Sequence, residues 1–221
     1  MPPRRLCRAS TVKAVTSTFT ETGLEYIDLY LLHSPYGGTK NRLEAWDALV
    51  QYQRESGGRI RSLGVSNFGV RHLVELEGHI AMKEEREGKG AGGVVSVNQV
   101  EVHPWCVRSD IRKWCQERGI VVQAYSPLVR GMKFEEEHLR SIARMVGKTE
   151  AQVLLRWGLQ SGVVPIVKSV DDSEGGRIET NFNVWGWELG KQDLLALTGE
   201  EGEIERYEPC AWDPTIEPLE R

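Results

Sequence analysis

The sequence has no apolar run long enough to cross a membrane and little excess charge of either sign. A membrane helix needs about 20 consecutive apolar residues, and the basic start at Met1–Arg5 is followed by no apolar segment of the kind found in secretory leaders. The chain carries 28 basic and 32 acidic residues, a formal net charge of −4, which gives no broadly basic surface for nucleic acid. We therefore predict neither a membrane nor a nucleic-acid partner.

Cysteine is also scarce, and its spacing favours neither disulfides nor a metal site. No CxxC pair occurs, and a chain of 221 residues does not need disulfides for stability. The four cysteines are Cys7, Cys106, Cys115 and Cys210. We therefore predict a reducing, cytoplasmic setting. We also predict no metal site, because three histidines fall in predicted helices with no carboxylate at ligand spacing, namely His72, His79 and His138.

What the sequence does contain is a regular alternation of apolar strand-length runs with amphipathic helices. This order predicts an α/β fold with parallel strands, either doubly wound or a barrel. We predict one domain over residues 1–221. Its core covers about residues 10–200, and residues 201–221 form an irregular tail. No strand is followed by GxGxxG, and a closed barrel needs eight strands. The first run is predicted to be buried on both faces. The predicted strands are Tyr26–Leu32, Ile60–Ser66, Val94–Val102, Ile120–Tyr125 and Val163–Val167.

Polar side chains follow each of the five predicted strands. His33 ends the first, and the alternative interpretation is a histidine that only closes the strand and bonds a neighbouring backbone group. Because barrels carry their chemistry at the C-terminal strand ends, this edge predicts a site for a ligand with an amide, a flat ring and an anionic group. Lys168 and Ser169 are predicted to take a phosphate at the last strand.

Five short motifs in this order resemble the aldo-keto reductase family. They are Asp28–His33, Gly64–Phe68, Asn98–Pro104, Ala124–Leu128 and Ile166–Ser169. The resemblance covers about residues 10–200. It implies a (β/α)8 TIM-barrel enzyme that uses NADPH to reduce a small carbonyl substrate, an aldehyde or ketone, to an alcohol.

The resemblance also implies a role for individual residues. His33 would orient the substrate carbonyl and assist its protonation, and Tyr125 would stack on the nicotinamide ring. The remaining predicted contacts are Ser66, Asn67 and Gln99 with the nicotinamide carboxamide, Ser126 and Leu128 with the pyrophosphate, Lys168, Ser169 and Arg177 with the 2′-phosphate, and Asn181 with the adenine.

The sequence departs from the family before the first predicted strand. The family has an aspartate and a tyrosine after its second strand and a lysine after its third, all upstream of the histidine. Of the 32 residues before His33, those that precede the first predicted strand are predicted to form one helix. We therefore expect an incomplete, N-terminally truncated barrel with about five parallel strands, the first three βα units missing and little or no activity. Thr180 also replaces the usual adenine-contacting glutamate, and the segment before Arg177 is long.

Three hypotheses follow for the function of the chain. The first is an NADPH-dependent oxidoreductase. The second is a non-catalytic nucleotide-binding or regulatory module, since potassium-channel β-subunits use this fold in regulation. The third is an inactive truncated product whose first strand is an exposed sheet edge. The sequence does not determine the substrate or the oligomeric state.

Overall fold

A computed structural model describes residues 7–170, 173–199 and 205–220 of the chain. Strands and helices alternate as the sequence predicts. The elements, in chain order, are α1 (Arg8–Thr22), β1 (Ile27–Leu32), α2 (Gly38–Glu55), β2 (Ile60–Ser66), α3 (Val70–Glu87), β3 (Val95–Glu101), α4 (Ser109–Gln116), β4 (Val121–Tyr125), a 3₁₀ turn (Val129–Gly131), α5 (Glu137–Val146), α6 (Glu150–Gln160), β5 (Val164–Pro165), α7 (Arg177–Phe182), α8 (Lys191–Thr198) and a 3₁₀ turn (Pro214–Ile216).

The five strands form one open sheet in the order β1-β2-β3-β4-β5, the order in which they occur in the chain. Each register that the structure defines is parallel, with Ile27 opposite Ile60, Ser66 opposite Gln99 and Gln123 opposite Val164. The prediction of an α/β fold with five parallel strands is therefore confirmed.

The first strand is less buried than its apolar sequence predicts. Only Leu32 of β1 is buried, while Asp28 is exposed and Tyr26, just before the strand, is 43% exposed. The reason is its place at the end of the strand order, where β2 is its one neighbour among the described strands. The prediction of a strand covered on both faces was wrong.

Glycines and polar caps mark the bounds of several helices. The left-handed Gly23 ends α1, and Thr149 caps α6 by accepting a hydrogen bond from Gln152 N at 3.2 Å. Cys7 directly precedes α1, and Gly37, which directly precedes α2, has a φ of 107°. That backbone conformation is one that glycine adopts at little cost, and nothing in the polar residues nearby indicates it.

The chain divides into two compact units, each with its own core. The first unit comprises Met1–Gln99, Lys113–Val121 and Asp213–Arg221, and the second comprises Val100–Arg112 and Val122–Trp212. Strand β3 contributes residues to both. Fully buried residues of the first unit include Trp46, Phe68 and Leu73, and those of the second include Leu139, Leu154 and Trp157. The prediction of one domain over 1–221 stays a prediction.

The C-terminal tail, predicted to be irregular, has one short 3₁₀ turn and is held by specific contacts. In the first unit, the Leu219 carbonyl accepts from the Thr39 backbone N–H at 2.9 Å, and the Glu217 carbonyl lies 2.7 Å from His72 Nε2. Residues 200–204 and 221 of that tail lie outside the described residues. Within residues 7–170, 173–199 and 205–220, no helix combines the length and apolar character needed to span a membrane.

Candidate active site

His33 lies directly after β1, with an exposed side chain on a fixed backbone. Leu32 before it and Ser34 and Pro35 after it are all buried. Its carbonyl accepts a hydrogen bond of 2.9 Å from Asn67 Nδ2, and the Pro35 carbonyl accepts one of 2.5 Å from the buried Arg42. The strand end is therefore anchored on both sides of the histidine, while the imidazole remains accessible to a small molecule.

Ser66, Asn67 and Gln99 lie side by side at the ends of β2 and β3. The Ser66 hydroxyl and the Asn67 backbone N–H both donate to the Gln99 carbonyl, at 2.8 and 2.9 Å. Asn67 Nδ2 donates to Ser66 Oγ at 3.1 Å as well as to the His33 carbonyl. Asn67 has a φ of 64°, a left-handed conformation that asparagine tolerates. The structure thus joins four predicted site residues in one hydrogen-bonded group.

Tyr125, Ser126 and Leu128 lie at the end of β4 in the second unit, and all three are half-buried. Ser126 has a φ of 51°, and its carbonyl accepts from Val129 N at 2.9 Å, so the chain turns sharply after the strand. Within this tight turn, part of each of the three side chains remains accessible to a ligand.

Ser169 and Asn181 line one cavity of about 940 Å³ in the second unit. The Ser169 hydroxyl is buried, and within the described residues it has no hydrogen-bond partner. The cavity wall is mainly apolar, with Ile178, Phe182 and Trp185 among its lining side chains. A buried hydroxyl without a partner is costly unless a ligand or water satisfies it, so a ligand in this cavity would place a polar group at Ser169 and apolar surface against most of the wall.

Lys168 and Arg177 are exposed and do not line that cavity. Instead, the carboxylates of Glu174 and Glu179 contribute to its wall, although Glu179 Oε2 is engaged by the Gly175 N–H at 2.7 Å. The structure therefore brings together two of the four residues predicted at this end, and places acidic side chains next to them that the sequence did not indicate as part of the site.

A profile of the aldo/keto reductase family matches residues 2–199 of the chain. The chain belongs to this family. Among the aldo/keto reductases and other oxidoreductases that it resembles, an uncharacterized oxidoreductase of Schizosaccharomyces pombe is 37% identical over 95% of this chain and 68% of its own length. The methylglyoxal reductase DkgA of Escherichia coli K12 is 34% identical over 91% of this chain and 67% of its own.

A solved aldo-keto reductase has the same fold. The crystal structure of a Bombyx mori aldo-keto reductase in complex with NADP matches with a TM-score of 0.73 and 28% identity, over 90% of this chain and 65% of that one. The chain thus has the fold of the TIM-barrel members of this family. It spans between about half and two thirds of the length of the curated relatives that it matches.

Two of the three histidines inside helices, His72 and His79, have structural partners. His72 is fully buried. Its Nδ1 accepts a hydrogen bond from the Gly69 N–H, and its Nε2 contacts the Glu217 carbonyl oxygen. Burial lowers the pKa of His72 to about 4. His79 Nε2 lies 2.9 Å from Asp47 of α2. Helical spacing could not show that pair, because its members lie 32 residues apart.

One polar cluster of the second unit was missed in the sequence. Glu101 at the end of β3 accepts from His103 Nε2 at 3.0 Å and from the Cys210 backbone N–H at 2.6 Å. Burial alone would raise the pKa of Glu101, but hydrogen bonds from His103 and Cys210 outweigh it and hold that pKa below its usual value. Burial and the nearby Glu101 raise the pKa of Cys210 to about 11. The E-x-H spacing, which places both side chains on one face of an extended chain, was the available signal.

Proposed function

We propose that this chain binds NADPH and serves the reduction of small aldehydes or ketones to alcohols. The observation that carries the proposal is the hydrogen-bonded group of His33, Ser66, Asn67 and Gln99 at successive strand ends, the positions at which the family resemblance places the active-site histidine and the amide contacts of the cofactor. The relatives named as oxidoreductases, and one named as a methylglyoxal reductase, support carbonyl reduction and a small dicarbonyl as the test substrate.

The proposed contacts of the nicotinamide carboxamide are Ser66, Asn67 and Gln99. Ser66 Oγ donates to one protein carbonyl and accepts from Asn67, so a ligand N–H would meet its remaining lone pair. Gln99 would offer its side-chain amide, and His33 would orient the substrate carbonyl with its exposed imidazole. When bound, NADPH supplies the hydride. The protein's part is orientation, which supplies much of the rate in reactions of this kind.

The remaining cofactor contacts are proposed from the family resemblance. Tyr125 would stack on the nicotinamide ring, and Ser126 and Leu128 would contact the pyrophosphate. Ser169 fits a phosphate best, because its buried hydroxyl is unsatisfied among the described residues and a phosphate oxygen would accept from it. The other proposed contacts are Lys168 and Arg177 with the 2′-phosphate and Asn181 with the adenine.

The residues that supply the proton in the family have no match before His33 in this sequence. In the family resemblance, a tyrosine whose pKa a lysine lowers donates the proton, and no residue before His33 in this sequence matches either one. A positioned general acid increases the reaction rate by about 10²–10⁴-fold. We propose His33 as the catalytic group of the residues in this sequence.

The four cysteines are free thiols in the structure. This supports a reducing compartment, and we propose a cytoplasmic location.

Two measurements on the intact chain test the proposal. Tryptophan fluorescence should fall on titration with NADPH and saturate, and NADPH absorbance at 340 nm should decline with methylglyoxal faster than in a heat-treated blank. The variant His33→Asn should keep the fluorescence change and lose the absorbance decline. Binding without any NADPH consumption would contradict the reductase and favour a nucleotide-binding module. No fluorescence change at millimolar NADPH would contradict both the reductase and the nucleotide-binding module.

A further inference from the structure

Three different metal-binding side chains meet in the second unit, and one of them, Cys210, hydrogen-bonds Ser126, which is also proposed to contact the cofactor. Atoms of Glu101, His103 and Cys210 that can ligate a metal all lie within 4.8 Å of one another. Glu101 and His103 are 1% and 0% exposed, while Cys210 is half-buried and provides an approach from solvent. The three come from positions 101, 103 and 210, so the fold and not local sequence brings them together.

The chemistry of this set matches zinc. Thiolate, imidazole and carboxylate are the side chains that bind Zn²⁺, at about 2.0–2.3 Å, which in a tetrahedron separates the ligand atoms by about 3.3–3.8 Å. In the structure His103 Nε2 and Glu101 Oε1 are 3.0 Å apart. Bringing all three onto one ion therefore needs movements of about an ångström or less, with the fourth position left for water.

The surroundings of the three side chains suit a metal site. Glu101 is oriented by two backbone donors, the N–H groups of Cys210 at 2.6 Å and Ala211 at 3.2 Å, and such outer contacts orient metal-ligating carboxylates. His103 Nδ1 is buried and, in the described part of the chain, has no hydrogen-bond partner. Among the described residues, no N–H group donates to Nδ1, so Nδ1 is able to hold the ring proton when Nε2 binds an ion.

We propose that Glu101, His103 and Cys210 form a binding site for one Zn²⁺ ion. Binding forms three bonds to the ion, from Glu101 Oε1, His103 Nε2 and Cys210 Sγ. The Cys210 thiol releases one proton to solvent, and the imidazole proton moves from Nε2 to Nδ1. The ion links the segment at Cys210–Ala211 to the end of β3. The argument for this site does not rest on the proposed NADPH function, although Cys210 hydrogen-bonds Ser126.

Cobalt substitution tests the proposal directly. The metal-free chain is titrated with Co²⁺, and we expect one equivalent to produce the near-ultraviolet charge-transfer absorption of a thiolate–cobalt bond together with the visible bands of tetrahedral cobalt, both lost on addition of Zn²⁺. Cys210→Ser should abolish the charge-transfer band. Cys7→Ser is the matched control, since Cys7 is the other partly exposed cysteine, and it should leave the band unchanged. Absence of the band, or its loss in Cys7→Ser alone, would overturn the site.

A second measurement uses the unmodified sequence, so that misfolding of a variant cannot decide the result. Iodoacetamide labelling with peptide mapping is compared with and without Zn²⁺. Zinc should protect Cys210 at least tenfold and leave Cys7 unprotected. Equal labelling of Cys210 in both conditions would contradict the proposal.

Discussion

The side-chain amide of Asn67 donates a hydrogen bond of 2.9 Å to the backbone carbonyl of His33. This bond joins the ends of β1 and β2 and fixes the backbone of the proposed catalytic histidine. Both Nδ2 hydrogens of Asn67 are used inside the protein, the second on Ser66 Oγ at 3.1 Å. Asn67 therefore supports the candidate site by holding two other members of it in place.

Replacing Asn67 with aspartate tests this role. The substitution keeps the shape and the tolerance for positive φ, but it turns a donor into a charged acceptor facing the His33 carbonyl. We expect the free energy of unfolding to fall by about 1–3 kcal/mol and the NADPH affinity to fall with it. Urea unfolding and fluorescence titration measure the two effects.

Asn41→Asp is the matched control, because Asn41 Nδ2 also donates to a backbone carbonyl, that of Gly37 at 2.8 Å, near the start of α2. Because a carboxylate is tolerated at a helix start, Asn41→Asp should fold normally. Its NADPH affinity should equal that of the wild type. If both variants bind NADPH equally well, Asn67 has no special part in the site.

Lys168→Met tests the proposed phosphate contacts. Lys168 is exposed at the end of the last strand, and a hydrogen bond to a charged phosphate is worth about 1.5–3 kcal/mol, so we expect NADPH affinity to fall about tenfold. NADH affinity should change little, because NADH lacks the 2′-phosphate. Fluorescence titrations at 50 and 200 mM salt measure both, and the loss should shrink at high salt. Lys191→Met is the control at another exposed lysine, and it should change the affinity for neither NADPH nor NADH. Equal losses of NADPH and NADH affinity in Lys168→Met would contradict the assignment of Lys168 to the 2′-phosphate.

His72 gives the chain a pH-dependent stability on the acid side. Its folded pKa, about 4, lies below the unfolded value of 6.5, because burial disfavours the charged ring. Above pH 6.5 both states are neutral and the residue has no effect; as the pH falls from 6.5 towards 4, the unfolded state takes up a proton that the folded state does not. This should lower the free energy of unfolding by about 3 kcal/mol at pH 4.

Urea unfolding at pH 7 and pH 4 measures this loss, and His72→Gln should reduce the difference between the two pH values by about that amount. His138→Gln removes an exposed histidine and should leave the difference as it is in the wild type. The same pH dependence in His72→Gln as in the wild type would refute the assignment.

Two glycines should respond to alanine in opposite ways. A Cβ at Gly64, in β2, would lie 2.5 Å from the Val97 carbonyl oxygen and 2.7 Å from a methyl group of Leu31, so the strands would have to separate. We expect Gly64→Ala to lower the free energy of unfolding by about 2–3 kcal/mol or more. At Gly78, inside α3, a Cβ would meet nothing within 4 Å, and alanine should stabilise the helix by about 1 kcal/mol. Thermal unfolding of both variants decides the prediction, which would be wrong if Gly64→Ala were neutral.

The sequence alone determined the order of strands and helices, the parallel α/β class and the family. Apolar runs with period and length typical of strands identified β2 to the residue, since Ile60–Ser66 is bounded by glycines on one side and polar residues on the other. The five motifs after the strands named the candidate residues, because parallel strands bring their C-terminal ends to one edge.

Tertiary structure decided which side chains meet and what each one contacts. The burial of β1 depended on its position at the end of the sheet, which no local pattern encodes. The glutamates beside Ser169 depended on the path of the chain after the last strand. The approach of Cys210 to Glu101 and His103, about a hundred positions apart, follows from the packing of the whole fold, and the amino-acid type at position 210 carries no signal of it.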